Sequence, residues 1–278
     1  MKLIPHGASG CENPGAIDSQ GQARDLSDLV PDFTPEWMAP GRLAALAAVD
    51  LQRLPLVAHG TRLGAPVAGT RQFVAIGLNY RRHAEESGLD IPKEPVVFHK
   101  ALSSLAGPDD EVRLPEASVA TDWEIELGFV IGTRASRIPV EGALAHVAGY
   151  LLANDISERD WQIKRNGQWG KGKSFDGFGP VGPWLVTADE LPDPQAIELT
   201  LSVNGEVMQR SSTADMIFPV ACLVSYLSQF MTLLPGDLVI TGTPAGVGLG
   251  MKPPRFLKSG DVMTLDGGVL GRQLQRVR

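Results

Sequence analysis

The chain has 278 residues, 43% of them hydrophobic, and a formal net charge of −7 at pH 7. This composition supports a sizeable buried core and argues against an intrinsically disordered chain. The acidic excess argues against a general nucleic-acid binder and against a protein that docks on acidic membranes, because both normally present a basic face.

Targeting and redox signals are absent from the sequence. No apolar run approaches the roughly 18 residues that a membrane-spanning helix needs, and the first ten residues contain no apolar core of the signal-peptide type. The two cysteines, Cys11 and Cys222, lack the spacing of a metal site or a redox motif. We therefore expect a cytoplasmic protein with two reduced thiols, no membrane partner and no nucleic-acid partner.

The first part of the chain differs in character from the rest. Residues 1–68 combine turn-rich sequence, an acidic stretch with several prolines and one helical pattern at residues 41–50. Strand-like segments begin near Arg71. We therefore predict a small N-terminal domain at residues 1–68 and a larger domain at residues 69–278.

The larger domain contains more strand signals than helix signals. Residues 71–80, 94–104 and 122–132 have strand character and are bounded by Gly, Pro or Asp. Helical patterns cover residues 139–153 and 218–231, and short strands alternate with glycine-rich turns after them. Because strands dominate without regular alternation with helices, the sequence predicts a β-rich α+β fold.

The segment TDWEIELGFVIG, which begins at residue 121, carries acids at three alternate positions. Asp122, Glu124 and Glu126 share one face of a strand because side chains alternate along it. Such spacing alone is typical of a solvated acidic face. The three acids repel each other, however, and small or apolar residues continue their face, so a divalent-cation site is the alternative. Oxygen ligands favour Mg²⁺, Mn²⁺ or Ca²⁺ over zinc.

A third candidate ligand is Asp155, which lies at the end of an apolar segment in LLANDISERDWQ. The pair Asn154 and Asp155 is also a typical helix N-cap signal. If a helix follows, Arg159 and Gln162 lie on the same face as Asp155. Both interpretations of Asp155 stay open at this point.

The segment GLNYRRHAEESG places His83 and Glu86 three residues apart. On a short helix the two side chains face the same way and can hydrogen-bond. A carboxylate that orients an imidazole is the usual construction of a general base near neutral pH. A surface helix with mixed charges is the alternative.

Residues 167–174, GQWGKGKS, match the pattern of a phosphate-binding P-loop. That loop needs a strand before it and a helix after it, so that backbone N–H groups converge on the phosphates. Here the preceding sequence is charged and helix-like, and the following sequence has three glycines and two prolines. We therefore predict no nucleotide binding and look for another function of Lys173.

Taken together, these segments resemble the fumarylacetoacetate hydrolase family. The resemblance covers residues 69–278 and rests on the motifs GLNYRRHAEE, EPVVFHKALSSLAGP, TDWEIELGFVIG, NDISERDWQ, KGKSFDGFGPVGPW, NGEVMQ, LVSYLSQFMTLLPGD and TGTPAGVG. It implies a catalytic domain built as a mixed β-roll or sandwich, a small N-terminal domain before it, and a homodimer.

The resemblance also implies a set of site residues. The ligands of a divalent metal, Mg²⁺ or Mn²⁺ with Ca²⁺ as a substitute in crystals, are then Glu124, Glu126 and Asp155. The catalytic residues are His83, Glu86 and Lys173. The substrate contacts are Arg159, Gln162, Gly242 and Thr243. Asp122 matches no metal ligand of the family, and we expect it to support the site structurally.

Within the family, the sequence is most similar to 2,4-diketo-3-deoxy-sugar-acid hydrolases and ureidoglycolate lyases. The resemblance implies hydrolysis of a C–C bond in a 2,4-diketo acid, with 2,4-diketo-3-deoxy-L-fuconate or -rhamnonate as substrate and pyruvate plus an acid such as lactate as products. Ureidoglycolate lyase and oxaloacetate decarboxylase are the alternatives. A non-catalytic binding protein is disfavoured because all three metal carboxylates are present.

Overall fold

The computed structural model describes residues 1–278 and contains sixteen strands. They are β1 (Lys2–His6), β2 (Asn13–Ile17), β3 (Ala23–Asp25), β4 (Phe73–Gly77), β5 (Val96–His99), β6 (Leu105–Ala106), β7 (Thr121–Asp122), β8 (Ile125–Ile131), β9 (Val147–Asn154), β10 (Ser157–Glu158), β11 (Gly179–Thr187), β12 (Glu198–Val203), β13 (Glu206–Ser212), β14 (Leu238–Ile240), β15 (Val262–Asp266) and β16 (Arg272–Arg276).

The helices are few and short. The four α-helices are α1 (Pro40–Ala47), α2 (Arg81–Glu86), α3 (Gly170–Lys173) and α4 (Val220–Phe230), and a π-helical turn covers Asp160–Lys164. Single 3₁₀ turns or short 3₁₀ helices lie at Pro35–Met38, Leu51–Arg53, Leu102–Ser104, Val140–His146, Ala188–Glu190, Thr213–Asp215, Gly248–Gly250 and Gly268–Leu270. None of the helices combines the length and hydrophobicity that a membrane crossing requires.

Ten strands form one mixed sheet in the order β3-β2-β1-β11-β9-β8-β14-β4-β5, with β6 paired to β11. The pairs β14–β4 and β11–β6 are parallel, and the other neighbours are antiparallel. A second, antiparallel sheet has the order β13-β12-β15-β16, and β7 pairs with β10. The predicted β-rich α+β fold is therefore confirmed.

The larger apolar core lies on one face of the ten-stranded sheet. Because side chains alternate along β8, Ile125, Leu127 and Phe129 all enter this core. They pack there with buried residues of the four-stranded sheet and of α4, such as Leu201 and Leu227. Full burial of each such side chain contributes roughly 1.5–3 kcal/mol. The opposite face of β8 is thereby left for Glu126 and its neighbours.

The N-terminal segment covers the other face of the same sheet. Leu3 and Phe33 belong to a second buried cluster together with Val130 and Leu151. Strand β1 also pairs with β11, so the N-terminal strands extend the main sheet. The division of the chain at residues 68 and 69 stays a prediction, and strands on both sides of it lie in one sheet.

The predicted helices have different outcomes. Helix α4 lies within the segment predicted at residues 218–231, and α1 overlaps the segment predicted at residues 41–50 but begins one residue before it. The helix predicted over residues 139–153 is wrong, because only Val140–His146 is helical (3₁₀) and β9 follows it. All eight residues of β9 are buried between β8 and β11. A strand buried on both faces has no alternation, so its apolar run has the same pattern as a buried helix.

Candidate active site

Three carboxylates meet where β8 and β9 lie side by side. Glu126 is on β8, Glu124 immediately precedes that strand, and Asp155 immediately follows β9. Ile125 pairs with Asn154, which sets Asp155 beside Glu124. One oxygen from each carboxylate lies within 4.8 Å of the others, and all three residues are buried. The predicted ligand set is therefore brought together.

Two cations neutralise Glu124. Lys173 Nζ lies 2.7 Å from Glu124 Oε2 and 2.6 Å from Asp155 Oδ2. Arg159 Nη1 lies 2.7 Å from Glu124 Oε1. Burial raises the pKa of Glu124, but the charges of Lys173 and Arg159 outweigh it and lower that pKa to about 2. Glu124 is therefore ionised at neutral pH.

Glu126 has no comparable partner. Its Oε2 accepts a hydrogen bond from the Gly242 N–H at 2.7 Å, but no cationic side chain lies within ion-pair distance. Burial raises the pKa of Glu126 well above its usual value, and the charges of Asp155 and Glu124 raise it further. A hard divalent cation would supply the missing positive charge. Three clustered oxygen donors therefore fit Mg²⁺, Mn²⁺ or Ca²⁺ better than zinc.

Lys100 also belongs to the cluster, although the sequence analysis missed it. Its Nζ lies 2.5 Å from Asp155 Oδ1 and donates to the backbone carbonyls of Lys173 and, at 3.1 Å, Phe178. The ammonium group is fully buried. The only signal in the sequence is a lysine directly after the apolar strand β5, and its partners are distant along the chain.

Asp122 stands outside the carboxylate cluster. The predicted strand breaks after β7, and β8 begins only at Ile125. Asp122 Oδ2 accepts from Arg159 Nε at 2.9 Å, while the Gly248 N–H donates to Oδ1 at 2.7 Å and the Leu249 N–H donates to Oδ2 at 3.0 Å. Asp122 thus connects Arg159 to the 248–249 backbone, which is a structural role of the kind expected for it.

Arg159 and Gln162 lie close together, but no helix begins at Asp155. Strand β10 follows Asp155, and the π-helical turn comes after Arg159. Arg159 Nη1 donates to Gln162 Oε1 at 2.9 Å. Arg159 Nη2 lies 2.7 Å from Asp122 Oδ2, yet its N–H groups align with no acceptor and make no hydrogen bond. The guanidinium group of Arg159 is therefore held between Asp122, Glu124 and Gln162.

His83 and Glu86 face each other on α2, as the spacing predicted. His83 Nδ1 lies 3.3 Å from Glu86 Oε2, and the Gly246 N–H donates to Glu86 at 3.1 Å. Burial raises the pKa of Glu86, but the hydrogen bonds from His83 and Gly246 outweigh it and lower that pKa. Glu86 is therefore an ionised carboxylate that can orient the imidazole.

The sequence around Lys173 has a packing explanation in place of phosphate binding. The element immediately before α3 is the π-helical turn and not a strand, and α3 itself is a single turn. A Cβ atom on Gly172 would lie 2.5 Å from both Gln162 N and Glu158 O. Glycine at this position therefore lets α3 pack against the 158–162 backbone and brings Lys173 to the carboxylates.

The TGTP turn contacts the site mainly through its backbone. The Gly242 N–H is engaged by Glu126. Thr243 Oγ1 donates to Ile125 O at 2.9 Å and accepts from Gln209 Nε2 at 2.8 Å. The backbone N–H of Thr243 makes no hydrogen bond within the chain. Of the two predicted substrate contacts, Thr243 is thus the one with a free donor.

A cavity of about 510 Å³ opens onto these groups. The predicted residues that line it are His83, Glu86, Glu124, Arg159, Gln162, Lys173 and Thr243. Glu126, Asp155 and Gly242 do not line it and are buried beside Glu124. The pKa of Glu124 is lowered and that of its neighbour Glu126 is raised, and the His83 imidazole paired with Glu86 lines the same cavity as Glu124. Such an arrangement is typical of an enzyme site that combines acid–base chemistry with cation binding.

The comparisons with known proteins agree with this class. Residues 72–278 match the model of the fumarylacetoacetate (FAA) hydrolase C-terminal family. The chain therefore belongs to the fumarylacetoacetate hydrolase family of enzymes, as its motifs suggested. Its subgroup within the family, its cytoplasmic location and the homodimer stay predictions.

Similar proteins match over almost their whole length. A Burkholderia orbicola (strain MC0-3) protein, provisionally named a hydrolase, is 53% identical over 279 residues, which is 100% of this chain and 99% of the relative. Two solved structures each cover 100% of this chain and have 99% of their own length covered. Fumarylacetoacetate hydrolase from Exiguobacterium antarcticum is 36% identical with a TM-score of 0.89. Maleylpyruvate hydrolase from Sphingobium sp. SYK-6 is 27% identical with a TM-score of 0.82.

Proposed function

We propose that this enzyme hydrolyses a C–C bond of a 2,4-diketo acid and releases pyruvate and a second carboxylic acid. The observation that carries the proposal is the pairing of His83 with Glu86 on the wall of the cavity that also contains Glu124 and Lys173. A water-activating base and Glu124, one member of the carboxylate cluster, therefore face the same space. Two of the similar proteins are named as hydrolases of related keto acids.

The carboxylate cluster supports the choice of cofactor. Glu124, Glu126 and Asp155 would hold a divalent cation, and Mg²⁺ or Mn²⁺ suits three carboxylate oxygens. When bound, the cation supplies Lewis-acid chemistry to the oxygens at the pyruvoyl end of the substrate. The Thr243 N–H makes no hydrogen bond within the chain, and we assign it, together with the positive charge of Arg159, to the substrate carboxylate.

The hydrolytic step follows from the base. His83 Nε2 takes a proton from a water molecule, and the water oxygen attacks the C4 carbonyl carbon. The C3–C4 bond then breaks, its electron pair stays on C3, and C4 leaves as a carboxylic acid. Lys173 and Arg159 stabilise the negative charge that develops on the pyruvate enolate. A proton returned to C3 completes pyruvate, so one water is consumed for each bond broken.

The chemical identity of the acyl part of the substrate is a separate question from the type of reaction. The sequence resemblance favours 2,4-diketo-3-deoxy-L-fuconate or -rhamnonate, in which that part carries hydroxyl groups. Oxaloacetate decarboxylation and elimination of urea from ureidoglycolate are less well supported, because neither needs a base that activates water. The hydrogen-bonded His83–Glu86 pair therefore favours the hydrolase over both alternatives.

Product analysis in labelled water tests the reaction. Purified enzyme with Mg²⁺ is incubated in H₂¹⁸O with an acylpyruvate, a 2,4-diketo-3-deoxy sugar acid, oxaloacetate and ureidoglycolate, and products are analysed by mass spectrometry. We expect pyruvate and a second acid that carries one ¹⁸O in its new carboxylate. EDTA should abolish the reaction, and Mg²⁺ or Mn²⁺ should restore it. Conversion of oxaloacetate or ureidoglycolate without conversion of either diketo acid would overturn the proposal.

A further inference from the structure

Two buried side-chain amides hold the backbone N–H groups on either side of the Glu124 Cα atom. The Glu124 N–H donates to Asn154 Oδ1 at 3.1 Å, and the Ile125 N–H donates to Gln209 Oε1 at 3.0 Å. Asn154 and Gln209 are both fully buried. Because Glu124 lies in the break between β7 and β8, strand pairing alone does not fix it there. Its position therefore depends on these two amides.

Gln209 also holds the TGTP turn. Its Nε2 donates to Thr243 Oγ1 and to Pro244 O, both at 2.8 Å, so each of its two N–H groups has an acceptor. Thr243 Oγ1 in turn donates to Ile125 O at 2.9 Å. One glutamine thus connects the backbone beside Glu124 with the turn that carries the Thr243 N–H. Gln209 itself does not line the cavity, so it acts through these neighbours.

A β-bulge directs Gln209 towards the site from a separate sheet. Strand β13 is an edge strand of the four-stranded sheet, and its register against β12 shifts by one residue. Met208, directly before Gln209, is the extra residue. Such bulges bend a strand and redirect the side chains beside them. A Cβ atom on Gly246 would overlap Met208 O, so glycine there lets the chain after the TGTP turn pack against the bulge.

We propose that Gln209 is a positioning residue that sets the distance between the Glu124 carboxylate and the Thr243 N–H. This inference rests on the proposed function, in which Glu124 binds the cation and the Thr243 N–H binds the substrate carboxylate. The amide then aligns two contacts of one substrate molecule. A neutral amide suits this role, because it supplies an acceptor and two donors without adding charge to the carboxylate cluster.

Ligand binding by Gln209→Met tests the inference without turnover. The variant leaves the Ile125 N–H and Pro244 O buried without their partner. We expect the dissociation constant for Mn²⁺, measured by isothermal titration calorimetry, to rise about 10-fold or more, as for other losses of groups that orient metal ligands. At saturating Mn²⁺, the dissociation constant for pyruvate should rise by a similar factor.

Gln273→Met is the matched control. Gln273 is a buried glutamine of the same four-stranded sheet, and its amide also makes three hydrogen bonds. Its Nε2 donates to Leu152 O and Gly182 O at 2.9 Å, and its Oε1 accepts from Gln275 at 2.8 Å. These partners lie outside the TGTP turn and outside the break between β7 and β8. Gln273→Met should lower the urea midpoint of unfolding as Gln209→Met does, but both dissociation constants should stay within about 3-fold of wild type.

Wild-type affinities in folded Gln209→Met, or equal losses of affinity in the two variants, would overturn the inference. If Gln209→Met does not fold, Thr243→Val tests the same connection, because it removes the hydroxyl group between Gln209 and Ile125 O and keeps the Thr243 N–H. It should weaken pyruvate binding about 10-fold at saturating Mn²⁺, and unchanged binding would overturn the inference. Absence of pyruvate from every diketo acid with the wild-type enzyme would instead refute the hydrolase function.

Discussion

The ammonium nitrogen of Lys100 lies 2.5 Å from Oδ1 of Asp155, and neither side chain is more than 1% exposed. Lys173 Nζ lies 2.6 Å from Oδ2, the other carboxylate oxygen of Asp155. Burial lowers the pKa of Lys100, and the charge of Asp155 opposes that change. The fold itself thus holds this carboxylate between two lysines, in the position where the predicted metal site needs it.

Replacing Lys100 should destabilise the protein strongly. Lys100→Met leaves Asp155 without one of its two cations and leaves two carbonyl groups without their donor. Breaking a buried ion pair from one side costs about 3–5 kcal/mol, so the free energy of unfolding in urea should fall by about that amount. The exposed Lys93→Met is the matched control and should change it by less than about 0.5 kcal/mol. Equal unfolding curves for both variants would contradict the structural role of Lys100.

Glu126 should be essential for metal binding. Glu126→Gln removes the one carboxylate of the cluster that lacks a cationic partner, so it removes charge that only a metal ion would balance. We expect affinity for Mn²⁺, measured by isothermal titration calorimetry, to fall at least about 10-fold. Glu158→Gln is the control, because Glu158 is equally buried but hydrogen-bonds to Ser118 and Thr121 outside the cluster. Similar Mn²⁺ affinities for the two variants would exclude Glu126 as a ligand.

His83 should affect turnover without affecting metal affinity. His83→Ala removes the imidazole that Glu86 orients, and loss of a general base lowers kcat by about 10²- to 10⁴-fold. Mn²⁺ affinity should stay within about 3-fold of wild type, because His83 is not among the carboxylate ligands. His59→Ala removes an exposed histidine and should leave kcat unchanged. Near-normal pyruvate release by His83→Ala would remove the general-base assignment.

The parts of the site that could be predicted depend on local spacing. Period-two alternation correctly separated Glu126 from the apolar side chains of β8, and a three-residue spacing correctly paired His83 with Glu86. Contacts between distant segments could not be obtained this way. The pairing of Lys100 with Asp155 depends on how β5 and β9 are arranged in space, and no local pattern encodes that arrangement.

The errors also have physical causes. Strand β9 was predicted as a helix because a strand buried on both faces shows neither alternation nor amphipathic periodicity. The break between β7 and β8 was missed because the sequence continues to alternate through Trp123 and Glu124. At this break, Asp122 accepts hydrogen bonds from the backbone N–H groups of Gly248 and Leu249, which are distant from it along the chain.

The N-terminal segment should be stabilised against the rest of the chain by Arg62. Arg62 makes a two-nitrogen contact with Asp110 at 2.7 and 2.6 Å and also pairs with Glu12 at 2.7 Å. Burial raises the pKa of Asp110, but the hydrogen bonds from Arg62 outweigh it and lower that pKa. A lowered folded-state pKa adds stability above the unfolded-state value, and this stability is lost as pH falls through the folded-state value.

Arg62→Met should therefore lower the free energy of unfolding by roughly 1 kcal/mol at pH 7, a modest value because the contact is partly exposed. The difference from wild type should shrink as the pH falls below about 3.9, the ordinary pKa of aspartate. Urea unfolding between pH 7 and pH 3.5 measures it. Arg53→Met is the control, since its pair with Asp50 is largely exposed. A difference that grows on acidification would contradict this account.

Asp122 should act on catalysis through Arg159. In Asp122→Asn, an amide NH₂ group replaces the oxygen that accepts hydrogen bonds from Arg159 and from the Leu249 N–H. An NH₂ group cannot accept these bonds, so Arg159 loses its fixed position. We expect kcat/KM for the diketo acid to fall about 10- to 100-fold, mainly through KM. Asp28→Asn, an exposed aspartate, is the control and should not change it.

A double-mutant cycle separates this positioning role from a general loss of structure. If Asp122 acts by holding Arg159, then Arg159→Met already removes what Asp122→Asn disturbs, and the double variant should be no worse than Arg159→Met alone. Independent roles would instead make the two effects on kcat/KM multiply. Multiplicative losses would show that Asp122 acts independently of Arg159, through its hydrogen bonds to the 248–249 backbone.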